Sequence, residues 1–167
     1  AHQAGAGRHE LRCIRQQVQQ HLRQPVGVGA QQRHLLGHLQ LHARAARPNL
    51  FIKIPGTRAG LEAIEQATLA GVPVNVTLLF SAAQYRAAAQ AWLRGIERRL
   101  DAGLPPGVVS VASLFVSRWD VAVAGKLPSE LQMQLGIAVG RQTYQAYGEF
   151  LASARVRRVM NEGAVPQ

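Results

Sequence analysis

Residues 49–57 have the sequence NLFIKIPGT, a short apolar run of β-forming residues closed by a Pro-Gly pair. Thr57 is placed to cap a helix after this run, and Gly71 is placed to end that helix. A second apolar run, VNVTLLF, follows at residues 74–80. This region therefore predicts a strand, a helix and a second strand in succession.

The same alternation continues toward the C-terminus. Two Ser-x-x-Gln patterns, at residues 81–84 and 129–132, each predict a capping box that starts a long helix, and the second helix is predicted to end near residue 152. Between these patterns, residues 108–116 form a third apolar run. Strands that alternate with helices predict right-handed crossovers and a parallel sheet. Because the runs are apolar almost throughout, we expect the strands to be covered on both faces.

Two α/β layouts fit this order of elements, an open doubly wound sheet and a segment of a (β/α)₈ barrel. No Gly-rich phosphate fingerprint follows any of the strands, which argues against a dinucleotide-binding fold. A complete barrel needs at least about 200 residues, so a chain of 167 residues with three clear strands would hold only part of one.

Lys53 is a charged residue in the middle of the first apolar strand, between two isoleucines. Lysine is almost never fully buried unless it is paired or takes part in chemistry. A lysine in an apolar pocket has a lowered pKa, and its neutral amine can condense with a ketone to form a Schiff base. The alternative interpretation is a lysine whose ammonium group simply reaches water at the end of the strand.

Polar residues also occur at matching positions of the other two strands. Asn75 and Thr77 are two apart and share one face of the second strand, as Ser113 and Phe115 do on the third, and Arg118 lies just beyond. For the Thr77 or the Ser113 hydroxyl taken alone, ordinary strand or capping chemistry is the commoner explanation. An amine, an amide, two hydroxyls and an arginine together suit a sugar phosphate, whose phosphate the guanidinium can bind in bidentate geometry.

The three strands resemble those of the transaldolases. The resemblance is carried by NLFIKIPGT at residues 49–57, VNVTLLFS at 74–81 and SLFVSR at 113–118, and it extends from about residue 47 to the end of the chain. It implies a (β/α)₈ barrel of the class I aldolase type. The chain would then contain about three strands of that barrel, roughly the fourth to the sixth, with their helices.

The resemblance also implies an activity. Lys53 would attack the ketone of fructose 6-phosphate or sedoheptulose 7-phosphate, and carbon–carbon cleavage would leave a dihydroxyacetone unit on the lysine. That unit would be transferred to erythrose 4-phosphate or glyceraldehyde 3-phosphate. Because the lysine serves as the electron sink, no metal and no cofactor are expected. A simple aldolase that releases dihydroxyacetone is the alternative within the same chemistry.

Further roles follow from the resemblance for the remaining residues of the three motifs. Thr77 would position a water that carries protons, Asn75 and Ser113 would hold substrate hydroxyls, Phe115 would line the substrate site, and Arg118 would bind phosphate.

The chain departs from the family pattern in its acidic residues. Transaldolases also use an Asp on the first barrel strand and a Glu on the third, but no acid lies between Glu10 and Lys53, and Arg23 falls near the position of that Glu. The chain ends at Gln167, where the family would enter its seventh strand. Because positioned acids and bases contribute about 10²–10⁴-fold to such reactions, we expect little turnover from this chain. We also expect a tendency to aggregate, because a partial barrel has unpaired strand edges.

The first 47 residues differ in composition from residues 48–167. They contain seven arginines, one acid and all six histidines, and so carry +6 of the net charge of +10. No aromatic residue precedes Phe51. We therefore predict a boundary between an atypical basic segment, residues 1–47, and a barrel segment, residues 48–167.

Three interpretations of residues 1–47 stay open. The first is a basic nucleic-acid-binding module, although it lacks the aromatic residues that stack on bases, so we expect sugar phosphates and not nucleic acid as partners. The second is a metal site at His34, His38 and His42, which the i, i+4 spacing would bring to one helix face, but no carboxylate or cysteine lies nearby. The third is out-of-frame translation of a GC-rich gene.

The remaining expectations concern the compartment. Cys13 is the only cysteine, which fits a reducing environment, and we find neither a secretory signal nor an apolar run long enough to span a membrane. We therefore expect a cytoplasmic protein without a membrane partner. The pattern is compatible with a homo-oligomer.

Overall fold

The computed structural model describes residues 49–166, together with positions 37, 40, 42 and 47. Contacts within the chain divide it between residues 46 and 47, and every element named below belongs to the second unit. In chain order these elements are β1 (Ile52–Pro55), α1 (Gly60–Leu69), β2 (Val74–Leu79), α2 (Ala82–Asp101), β3 (Ser110–Leu114), α3 (Ser117–Ala122), a 3₁₀ turn (Ser129–Leu131), α4 (Leu135–Ala152) and α5 (Ala154–Asn161).

The three strands form one parallel sheet in the order β1-β2-β3. Lys53 pairs with Asn75 and Pro55 with Thr77 across the first ladder. Because each strand is followed by a helix, the described residues form an α/β structure with an open three-stranded sheet, which is consistent with part of a (β/α)₈ barrel.

The two faces of the sheet differ in burial. Ile52, Ile54, Val74 and Val76 are buried, because they point toward the helices. We call the other side the open face. It carries Lys53, Pro55, Asn75, Thr77, Val111 and Ser113, of which Lys53, Pro55 and Val111 are exposed. The expectation that the strands are covered on both faces is therefore wrong for the described residues. Apolar and polar residues alternate along the strands. Only one face of the sheet is therefore apolar and covered by the helices.

The core lies between the sheet and helices α1 and α2. Ile64 of α1 and Trp92, Leu93 and Ile96 of α2 are completely buried. The two helices approach closely at Gly95, where an added Cβ would lie 2.7 Å from the carbonyl oxygen of Glu65. A side chain at this position would therefore force the helices apart.

The first capping box is confirmed in its main contact. The Ser81 hydroxyl accepts a hydrogen bond from the Gln84 N–H at 3.2 Å, while Gln84 Oε1 accepts from the Phe80 N–H, not from that of Ser81. Thr57 lies further from its helix than predicted, because α1 begins only at Gly60. The Thr57 hydroxyl accepts from the Gly60 N–H at 3.3 Å, within the turn that precedes the helix.

The second capping box is wrong. Residues 129–131 form a 3₁₀ turn, and α4 begins only at Leu135, two residues after Met133 with its φ of 61°. The first turn of α4 is capped from a distant position, since Asp120 Oδ1 accepts from the Gly136 N–H at 3.0 Å. The predicted end near residue 152 is confirmed. The short helix α3 and the C-terminal helix α5 were not predicted.

The predictions for His34 and His38 lie outside the described residues. So does residue 48, the first residue of the predicted barrel segment, and the boundary after residue 47 stays a prediction. His42 is described: it is half-buried, and this burial lowers the pKa of its imidazole. No three His, Cys, Asp or Glu side chains among the described positions are grouped so as to hold a metal ion. Within those positions, no helix combines the length and the apolar character that crossing a membrane requires.

Candidate functional site on the open face of the sheet

Lys53 lies at the second position of β1, between the buried Ile52 and Ile54, and its side chain is exposed on the open face. It makes no hydrogen bond or ion pair with any residue from 49 to 166. The expected apolar pocket around Lys53 is therefore not formed by the described part of the chain. The amine is instead free to meet a molecule that approaches the open face.

Asn75 and Ser113 form a hydrogen-bonded pair beside Lys53. The Ser113 hydroxyl donates to Asn75 Oδ1 at 2.8 Å, and the Cα of Asn75 is the ladder partner of the Cα of Lys53. The hydrogen bond fixes the orientation of the Asn75 amide and leaves its Nδ2 able to donate to a bound molecule. The three strands thus contribute one polar group each to the same region of the open face.

Thr77 follows on the same face of β2, opposite Pro55. Its hydroxyl makes no hydrogen bond with the described residues, whereas its carbonyl oxygen accepts from the Gly56 N–H at 2.7 Å. The register of β2 with β3 shifts between Val76 and Leu79, and Leu78 has a φ of 56°. Such bulges redirect side chains at the ends of strands. Here the bulge leaves Leu78 exposed and returns Leu79 to the core.

Phe115 lies immediately beyond β3 and stacks on Phe80, which lies immediately beyond β2. The two ring centroids are 5.5 Å apart with 18° between the ring planes, and the Phe115 N–H donates to the Leu79 carbonyl at 2.8 Å. This aromatic pair marks the carboxyl ends of the two strands. In parallel α/β structures, binding sites lie at these ends.

Arg118 is the second residue of α3 and is exposed at the carboxyl end of β3. It forms no ion pair within residues 49–166. The two residues that follow Arg118 are both anchored. The Trp119 indole N–H donates to the Phe80 carbonyl at 2.8 Å, and the Asp120 carboxylate accepts from the Gly136 N–H.

The structure therefore brings Lys53, Asn75, Thr77 and Ser113 onto one face and places Phe115 and Arg118 at the adjacent rim. Three residues of this rim were not predicted from the sequence, namely Phe80, Trp119 and Asp120. A signal for Phe80 was present, because a Leu-Phe pair recurs at residues 50–51, 79–80 and 114–115. For Trp119 and Asp120 no signal existed, since their contacts reach across the fold.

Chemically, the open face presents a primary amine beside hydrogen-bonding groups on rigid strands. An amine held in this way can condense with a carbonyl compound whose hydroxyls bind the neighbouring amide and hydroxyl groups. None of the eight acids in residues 48–167 belongs to a strand.

Comparison with known proteins gives the same assignment for the sequence. The family model described as Transaldolase/Fructose-6-phosphate aldolase matches residues 34–161. The match begins within the basic segment 1–47 and covers all three strands.

Individual relatives carry the name transaldolase. The protein of Parafrankia sp. (strain EAN1pec) is 42% identical over 129 residues, which cover 72% of this chain and 35% of the relative. The protein of Neisseria gonorrhoeae (strain ATCC 700825 / FA 1090) is 40% identical over 126 residues, covering 75% and 36%. That of Mycobacterium tuberculosis (strain CDC 1551 / Oshkosh) is 45% identical over 127 residues, covering 71% and 34%.

The chain spans about a third of the length of the curated relatives it matches. The family model covers most of the chain, including every strand that contributes to the open face. The chain therefore belongs to the transaldolase/fructose-6-phosphate aldolase family.

Proposed function

We propose that this chain carries the Schiff-base centre of a transaldolase, with Lys53 as the nucleophile. The observation that carries the proposal is the position of Lys53, which is exposed on the open face and paired across the ladder with Asn75. Family membership supports sugar phosphates as the substrate class.

The proposed reaction begins when the nitrogen lone pair of Lys53 adds to the C2 carbonyl of fructose 6-phosphate or sedoheptulose 7-phosphate. Loss of water gives an iminium ion. The C3–C4 bond then breaks, its electron pair moves into the iminium to form an enamine, and an aldose phosphate leaves with its new carbonyl. The enamine adds to the aldehyde of erythrose 4-phosphate or glyceraldehyde 3-phosphate, and water releases the new ketose from Lys53.

The neighbouring side chains have matching tasks in this proposal. Asn75 and Ser113 hold substrate hydroxyls, and their mutual hydrogen bond keeps both groups oriented before substrate arrives. Thr77 holds the water that carries protons, since its hydroxyl is not engaged by the described residues. Phe115 forms the wall at the rim, and Arg118 binds the phosphate.

We further propose that turnover by this chain is slow. Cleavage of the C3–C4 bond requires a base that removes the proton of the C4 hydroxyl, and no carboxylate lies on the three strands. A positioned base is worth about 10²–10⁴-fold in rate. Schiff-base formation at Lys53 is therefore the step to measure, because it does not require a full cycle.

The experiment incubates the chain with fructose 6-phosphate and borohydride, which reduces the iminium to a stable amine, and measures the mass of the intact protein. The sequence offers a matched control, because Lys53 and Lys126 are its two lysines. Lys53→Arg is expected to abolish the mass increase, whereas Lys126→Arg is expected to leave it unchanged. Equal labelling of both variants would contradict the proposal.

The family description also includes fructose-6-phosphate aldolases, which favours a second candidate of the same chemistry. In that case the three-carbon unit leaves as free dihydroxyacetone, because water and not an aldose phosphate ends the reaction. Consumption of fructose 6-phosphate that needs no added erythrose 4-phosphate would favour the aldolase. Consumption that depends on this acceptor would favour the transaldolase.

A further inference from the structure

Arg118 lies on a helix, α3, that is too short to be stable without contacts to the rest of the fold. Helix α3 spans only the six residues Ser117–Ala122, has no side-chain hydrogen bond at its N-terminus and contains no buried residue. Isolated helices of this length are not stable in water. The location of Arg118 must therefore be set by contacts that its neighbours make elsewhere in the fold.

Trp119 and Asp120 make these contacts, one to the sheet and the other to helix α4. The Trp119 indole N–H donates to the carbonyl of Phe80 at the end of β2, at 2.8 Å. The Asp120 carboxylate accepts from the N–H of Gly136 in the first turn of α4, at 3.0 Å. Helix α3 is thus fixed both to the sheet and to the next helix, directly beside Arg118.

The fit at Gly136 is close. A Cβ added at this position would meet Asp120 Oδ2 and would lie 2.7 Å from the carbonyl oxygen of Val116. Only glycine allows α4 to approach α3 in this way. On the other side, Phe80 is itself held, since its N–H donates to Gln84 Oε1 at 2.7 Å and its ring stacks on Phe115.

We propose that Trp119 and Asp120 are positioning residues, which hold Arg118 at the carboxyl end of β3 so that the site selects ketoses carrying a phosphate. The inference rests on the proposed function in that Arg118 is taken as the phosphate ligand. Without either contact, α3 is less firmly held and the Arg118 side chain occupies a wider range of positions. Phosphate binding is weakened because the guanidinium is no longer held where the phosphate binds. Reaction of Lys53 with a ketone that lacks a phosphate is unaffected, because the sheet does not change.

The first test compares two ketones in the borohydride assay, fructose 6-phosphate and the unphosphorylated dihydroxyacetone. Trp119→Phe retains the aromatic ring but lacks the N–H. We expect it to raise the half-saturating concentration of fructose 6-phosphate about fivefold, the effect of one hydrogen bond, with no change for dihydroxyacetone. Asp120→Ala and Gly136→Ala are expected to act in the same way, whereas Asp120→Asn, which keeps an acceptor oxygen, restores most of the selectivity.

The control variant is Trp92→Phe, which removes the other tryptophan of the chain at a position in α2. The Trp92 indole nitrogen has no hydrogen-bond partner among the residues that the structure describes, so its loss should not alter the ratio between the two ketones. An unchanged ratio in Trp119→Phe and Asp120→Ala, with dihydroxyacetone still trapped, would overturn the inference while leaving the proposed function intact.

A second measurement does not depend on Lys53. Binding of inorganic phosphate to the full chain is followed by calorimetry, and Arg118→Gln is expected to weaken it. Trp119→Phe should weaken it about fivefold as well. If Lys53 traps no ketone but Trp119→Phe still weakens phosphate binding, the proposed function fails and the positioning role stands. Phosphate binding that is absent, or indifferent to Arg118 or to Trp119, would overturn that role.

Discussion

Arg99 is a buried arginine that ties the ends of two helices together. Only 5% of it is exposed, and its guanidinium donates to the carbonyls of Leu69 and Pro105, both at 2.7 Å. The fork of a guanidinium can serve two carbonyls at fixed directions, whereas an ammonium is a single point of charge. The buried carbonyls would lose partners if the fork were removed.

Arg99→Lys is therefore expected to lower the free energy of unfolding by about 2 kcal/mol, measured by urea denaturation. The matched control is Arg98→Lys. The Arg98 guanidinium is exposed and forms an ion pair with Glu65. Exposed ion pairs contribute little, so this change should cost less than about 0.5 kcal/mol. Similar losses for both variants would contradict the structural role given to Arg99.

At the level of single residues, the sequence predicted the shared face of Asn75 and Thr77, because strand alternation is a local property. The sequence also led us to expect an apolar pocket around Lys53, and the described residues do not form one. Burial depends on what packs over a face, and the alternation of β1 says only that Lys53 points away from its isoleucines. The anchors of α3 were likewise not predictable, because Trp119 and Phe80 are far apart in the chain.

Among the helices, α1 and α2 approach each other closely at Gly95. An added Cβ would lie 2.7 Å both from the Glu65 carbonyl oxygen and from Thr68 Cβ. Gly95→Ala is expected to destabilise the fold by about 2 kcal/mol, because overpacking outweighs the gain in helix propensity.

Gly148 in α4 is the matched control, since no described residue outside the adjacent helix backbone lies within 4 Å of a Cβ added there. Gly148→Ala should stabilise the protein by about 0.5–1 kcal/mol through helix propensity alone. Thermal unfolding of both variants checks the pair. A stabilised Gly95→Ala variant would show that α1 and α2 do not approach as described.

Helices α1 and α2 are also joined by a charged contact. Glu65 accepts from Arg94 at 2.7 Å and from Arg98 at 3.0 Å. Burial alone would raise the pKa of the Glu65 carboxyl, but the hydrogen bonds and charges of the two arginines lower it overall. A lowered pKa in the folded state means that the contact stabilises the protein above the pKa of the unfolded chain, about 4.3, and is lost as pH falls through the folded value.

Glu65→Gln is accordingly expected to reduce stability more at pH 7 than at pH 3, as measured by urea denaturation at both values. The same substitution in an Arg94→Gln, Arg98→Gln background provides the control, because the partners are already absent. There the pH dependence of the effect should disappear. If the effect of Glu65→Gln still depended on pH in that background, groups other than Arg94 and Arg98 would be lowering the pKa of Glu65.

Capping patterns in the sequence predicted the start of a helix correctly where the cap is a neighbouring residue. They failed where the cap comes from a distant part of the chain. Ser81 and Gln84 start α2 through neighbouring backbone groups. Ser129 and Gln132 show the same pattern, yet α4 starts later because its first turn takes its cap from Asp120, sixteen positions away along the chain. The sequence cannot show that contact before the fold is known.

At the largest scale, the described residues 49–166 are organised around a sheet with one covered and one open face. The order of strands and helices and the parallel sheet were predictable, because three apolar runs separated by helical patterns allow few topologies. The motifs that resemble transaldolases lie on the three strands, and the family match confirms that resemblance. For the described residues, the prediction that both faces of the sheet are covered was wrong, since it followed from average hydrophobicity and not from the positions of Lys53, Asn75 and Ser113.

The central claim is that Lys53 forms a Schiff base with a ketose phosphate on the open face. The most direct measurement is the mass spectrum of the peptides obtained after incubating the folded chain with fructose 6-phosphate and borohydride. We predict a sugar-derived adduct on the peptide that contains Lys53 and none on the peptide that contains Lys126. An unmodified Lys53 in a folded sample, or equal modification of both lysines, would contradict the claim.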